Sequence, residues 1–111
     1  MNELVKKLTH GSHPVAAERS SSALELKEQI EREFVLLKFT ETKGGTELGS
    51  QLDMELTDIS EADFVNARGT VHLVGNLILD YVSVQLVADI DLASLKGTGQ
   101  LVLVEEAVSV H

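Results

Sequence analysis

Three residues in the second half of this chain carry side chains that can do chemistry together: His72, Asp80 and Tyr81. A histidine titrates near neutral pH and serves as general base or acid. A carboxyl kept from water holds its proton, and a phenol donates a hydrogen bond. Such a trio works only if it faces a pocket. Without one, His72 is a satisfied core or edge histidine, and Asp80 and Tyr81 are surface residues.

Asp89 and Asp91 flank Ile90. On a strand their carboxylates share one face about 7 Å apart, a spacing that seats calcium or magnesium if further oxygens join them. No calcium-loop pattern accompanies the pair, so a solvated strand face is the expected role and no metal site is assigned. His10 and His13 form H-x-x-H around a Gly-Ser loop, without the third ligand or the helix that zinc requires. The glycines at 44, 45 and 49 lack the Lys-Ser/Thr of a phosphate loop, and Gly97-x-Gly99 is half of a dinucleotide fingerprint in the wrong setting. No G-x-S-x-G elbow occurs, and cysteine is absent, which removes thiolate chemistry. No cofactor is expected.

The chain has 111 residues, the length of one domain. Eighteen acidic residues against nine basic ones give a net charge of −9, and aromatic residues make up 4%. Both features disfavour nucleic acid as a partner and adsorption to anionic membranes. No apolar run approaches the roughly 20 residues of a membrane span. The first residues lack the apolar centre of a secretion signal, so a cytoplasmic location is expected.

The elements that must position these residues lie mostly in 69–106. Gly75-Asn76, alone between apolar runs, reads as a two-residue hairpin loop that sets His72 opposite Leu79. Downstream, Val82, Val84, Leu86, Ala88, Ile90 and Leu92 alternate with mostly polar neighbours, the pattern of a half-buried strand. Residues 77–92 as one strand would span roughly 50 Å, against a radius of gyration near ~13 Å, so a bulge or break near Tyr81 is required. A bulge or break turns Asp80 to solvent; strict alternation would put it on the apolar face.

Toward the N-terminus, 2–9 reads as a short helix and 12–21 as loop, a segment of helix and loop over 1–21 with little to anchor it. A single β-rich domain is expected over 22–111. Ser22 and Glu25 match a capping box, followed by an apolar stripe of Ala23, Leu26, Ile30 and Phe34, with Glu28 and Arg32 able to pair on the exposed side. Residues 34–40 and 46–54 read as a hairpin around Lys43-Gly44-Gly45. The acidic stretch 57–63 reads as loop anchored by Phe64. Residues 96–99 read as the last turn, and 100–105 as the last strand.

The expected fold is α+β and predominantly antiparallel β: a meander sandwich or small barrel of about six strands with one N-terminal amphipathic helix packed on it. Residues 34–37, 77–79, 86–88 and 101–104 are apolar on both strand faces, more than one helix can cover. The functional expectation is a non-catalytic protein, homo-oligomeric or an accessory subunit, that meets a protein partner through an apolar sheet face. The alternative is a small barrel holding an apolar small molecule, as carrier or isomerase, with His72, Asp80 and Tyr81 at the pocket.

Overall fold

A computed structural model describes residues 3–104. Their order is α1 (Glu3–Thr9), β1 (His13–Ala16), α2 (Ala23–Glu31), β2 (Phe34–Phe39), β3 (Thr46–Leu52), β4 (Thr70–Leu79), β5 (Val82–Asp91) and β6 (Lys96–Leu103). All strand pairs are antiparallel, and the sheet closes into a barrel in sequence order as β1 meets β6. The expected barrel is the observed one. Asn2 and Glu105, at the margins of the expected first helix and last strand, lie outside the described residues.

Period-2 alternation decides which side chains fill the barrel. Val35, Leu37 and Phe39 of β2 point inward, as do Val84, Leu86, Ala88 and Ile90 of β5, and all are essentially inaccessible to water. Val15, Leu48, Val71, Leu73 and Leu101 complete one continuous cluster with Leu26 and Ile30 of α2 and with Val5 and Leu8 of α1. The lumen is therefore packed with side chains. No helix among the described residues is long and apolar enough to cross a membrane.

The capping box forms at α2: the Ser22 hydroxyl accepts from the Glu25 amide at 3.2 Å, and Glu25 Oε1 accepts from the Ser21 amide at 2.9 Å. Glu28 and Arg32 approach to 4.0 Å on the exposed side. Ala23, Leu26 and Ile30 are buried as the stripe requires, but Phe34 is not part of the helix. Glu33 takes a positive φ of 61° and turns the chain into β2, where Phe34 faces outward over Gly49. Gln29 then covers the free edge of β2, accepting from the Leu36 amide at 3.1 Å while donating to Ser20 Oγ at 3.0 Å.

Three sequence expectations are corrected. Gly75 is not a turn: β4 runs straight through it and pairs it with Leu86, and the hairpin reverses at Asp80 and Tyr81, where Leu79 faces Val82. His72 consequently faces Asp89, not Leu79. Residues 96–99 are not a turn but the start of β6, paired with β5 and β1. The reversal lies one step earlier, where Leu95 adopts a φ of 59° and its amide donates to the Asp91 carbonyl at 2.7 Å. Finally, the segment 12–21 read as loop contains β1, whose Val15 and Ala16 are buried and whose pairing closes the barrel.

Antiparallel order places the starts of β1, β3 and β5 at one end of the barrel with the ends of β2, β4 and β6. The ladders that flank β4 and β6 on their outer edges are short. β3 meets β4 only at Gln51–Asn76 and Leu52–Gly75, and β1 meets β6 only as far as Gly99. Beyond those points β4, β5 and β6 continue as a three-stranded ribbon. β4 and β5, of ten residues each and roughly 33 Å long, account for much of the molecule's 49 Å longest dimension.

Candidate functional site

His72 projects from the outer face of β4, and its Nδ1 lies 2.8 Å from Asp89 Oδ1 on β5. A second acid stands nearby. The backbones of Asp58 and His72 exchange hydrogen bonds of 2.8 and 2.9 Å, which ties the loop 53–68 to β4. Hydrogen bonds from Ser60 hold the Asp58 carboxyl below its ordinary value, with a smaller contribution from the charge of His72. Sequence spacing carried no signal for Asp58, because only the course of the loop brings it to the strand. The His72–Asp89 pair is open to water on both sides, with 41% and 60% of the two side chains accessible. A pair so exposed ties two strands together, and solvent screening keeps its contribution small.

Asp80 and Tyr81 lie at the opposite end of the same hairpin, beyond Leu79, which ends β4 seven residues and roughly 23 Å from His72. The structure does not bring the three residues together. The break near Tyr81 turns Asp80 to the surface, and Tyr81 is fully exposed (101%). Both residues take left-handed backbone conformations, with φ of 49° and 67°.

Asp89 and Asp91 share the outer face of β5 as expected, yet they serve different partners. Asp89 receives His72, while Asp91 Oδ2 accepts from the amide and the hydroxyl of Ser94, both at 3.1 Å, and shapes the β5–β6 turn. Among the described residues no three His, Asp or Glu side chains are placed to hold a metal ion. His10 and His13 each turn back onto α1, donating to the Lys6 carbonyl and the Lys7 carbonyl at 2.8 Å.

Two clefts remain. One, of about 380 Å³, lies beside the β1–β2 seam and is lined by Glu18, Arg19, Lys38, Gly44, Gly45 and Glu47. Its cations are already engaged: Arg19 Nε donates to both Glu47 oxygens at 3.0 and 2.9 Å, and Lys38 Nζ lies 3.3 Å from Glu18. The hydrogen bond to Glu47 raises the pKa of Arg19 further, so it stays charged. This network joins the segment after β1 to the β2–β3 hairpin and leaves no free charge for an anion.

The second cleft, of about 330 Å³, lies on the ribbon and is lined by Asn76, Leu77, Ile78, Ser83, Val84 and Val104. The ribbon around it has an unusual composition for so acidic a chain. Residues 73–79, 82–88 and 97–104 contain no Asp, Glu, Lys, Arg or His. On its outer face Ile78 is 72% exposed, Val102 42% and Val104 43%. On its inner face Leu103 is exposed, and Leu77, Leu79 and Val82 are only half-buried where no neighbouring strand among the described residues covers them.

Comparison with protein-family models and with curated proteins finds no match.

Proposed function

We propose that this protein is a non-catalytic binding module that docks a protein partner through the ribbon formed by β4, β5 and β6. The observation that carries this reading is where the surplus apolar surface lies. The lumen is filled by Val35, Leu37, Phe39, Leu73, Leu86 and their neighbours. Of the apolar side chains left in water, Met54, Leu56, Ile59 and Val65 lie in a loop and Leu24 and Phe34 at α2 and β2, among charged residues, whereas Ile78, Tyr81, Val102, Leu103 and Val104 gather on the one charge-free ribbon and its turn. Apolar side chains held out of a full core, on strands stripped of charge, match the composition at the centre of protein interfaces.

Tyr81 supports the same reading. A tyrosine in the left-handed region costs stability that glycine would not, and here it buries nothing in return. Tyrosine is also among the residues most enriched where interfaces concentrate their binding energy. The alternative reading, an apolar ligand held inside the barrel by His72, Asp80 and Tyr81, needs space that the packed lumen does not leave. It also needs a proximity that the hairpin denies those three residues. The docking is proposed to take place in the cytoplasm.

A photo-crosslinking amino acid placed at Ile78, in the cell that makes the protein, tests the proposal against the same probe at Val65. That valine is as exposed, at 78%, but lies in the loop before β4. Adducts from position 78 and few from 65 are the expected result. Equal yields, or none from 78, would overturn it.

A further inference from the structure

Resting on the docking reading, we infer that the occupant of the ribbon is a second copy of this chain, with the outer faces of β4, β5 and β6 packed against each other about a two-fold axis. Charge is the first argument. A partner evolved for a surface of net charge −9 would be basic and would meet the acids, as at Asp89, Asp91 and Asp80 that border the ribbon. The ribbon itself offers such a partner nothing, because its exposed positions are uncharged. Two copies can approach without burying like charges only where neither carries any, and this is such a surface.

The second argument is the kind of polar group present. Cross-strand pairing sets Asn76 beside Gln85 and Gln85 beside Val102, with Gln100 beside Val87 one step below. Side-chain amides both donate and accept, so the same patch satisfies itself across a two-fold axis, as an isologous contact requires. Ile78, Val102 and Val104 supply the apolar centre, and two facing sheets pack about 10 Å apart.

Size sets the strength. Three strands about 14 Å wide and charge-free over roughly 23 Å offer a face of roughly 300 Å², short of the roughly 800 Å² per partner buried in stable complexes. The dimer is accordingly weak and concentration-dependent. Its response to salt has a definite sign: two chains of like net charge repel through water, so added salt screens the repulsion and tightens the dimer. A basic partner would instead be released by salt.

Sedimentation of the full chain over a wide concentration range, at low and high salt, tests this. The mass is expected to rise from 12.0 kDa toward twice that value, at lower concentration when salt is high. Val102→Glu and Ile78→Lys, each confirmed as folded by circular dichroism, are expected to remain monomeric, while Val65→Glu dimerises as the parent does. A parent chain monomeric throughout, a dimer weakened by salt, or a dimer indifferent to both ribbon substitutions would overturn the inference. The crosslinks from position 78 separate the two claims. Adducts at twice 12.0 kDa support the second copy, adducts at another mass overturn it while docking stands, and the absence of adducts removes both.

Discussion

Gly75 on β4 and Ser50 on β3 approach so closely that a side chain on one excludes the other: a Cβ built on Gly75 would lie 2.8 Å from the Cβ of Ser50 and 3.1 Å from the Gln51 carbonyl. Neither neighbour is the flexible end of a long side chain, so backbone must move to admit even a methyl group. Gly75→Ala is expected to cost about 1–2 kcal/mol, the overpacking penalty less the small gain from stiffening the unfolded chain. Urea denaturation would show it as a lower midpoint with unchanged slope. A stabilised variant would mean that the approach is looser than described.

Ser50 offers the opposite prediction. Its side chain is buried, and its hydroxyl has no hydrogen-bond partner among the described residues. An orphaned buried hydroxyl forfeits its hydration for nothing, so Ser50→Ala is expected to stabilise the barrel by about 1 kcal/mol. The same urea titration decides it. A loss of stability would mean that the hydroxyl is bonded in solution, for instance to a trapped water.

Acid should weaken the fold through its capped carboxylates. The hydrogen bond from the Ser21 amide holds Glu25 below its ordinary 4.5, and those from Ser60 and Asn66 hold Asp58 and Asp63 below 3.8. Because these groups are more acidic folded than unfolded, their contribution is complete above the ordinary values and is lost as pH falls through the depressed ones. Glu25→Gln should be less stable than the parent at neutral pH and converge on it in acid. A difference that stays constant with pH would assign the effect to helix propensity and not to the charge.

Much of this fold could be read from local chemistry. Ser22 and Glu25 satisfy backbone groups within one turn, and the alternation from Val82 to Leu92 states which side of β5 is buried. What escaped reading depends on contacts distant in sequence. Gly75 and Gly97 look like turn residues, yet each is glycine because another strand passes too close; at Gly97 a Cβ would collide with the Asp89 carbonyl. β1 carries only four residues, and its burial comes from β2 and β6. The true hairpin at Asp80 and Tyr81 lacked a glycine signal because tyrosine stands where glycine is usual. Of the candidate site, the apolar surplus of 77–79 and 101–104 was legible, whereas the separation of His72 from Asp80 and Tyr81 followed from the misplaced turn.

Tyr81 is where stability and function should part. Its φ of 67°, following 49° at Asp80, is the geometry of a two-residue hairpin turn that Asn-Gly adopts without strain. Tyr81→Gly is therefore expected to raise stability by about 1 kcal/mol, a gain of about 4 °C in melting temperature for a domain of this size. If the tyrosine serves docking, the same substitution should lower the yield of crosslinks from Ile78 and shift self-association to higher concentration. Stability and self-association are both read on the one purified variant, so a folding defect cannot imitate the result: a better-folded protein would be the poorer binder. A stabilised variant that still associates like the parent would take Tyr81 out of the docking surface and leave the outer face of the ribbon to carry it.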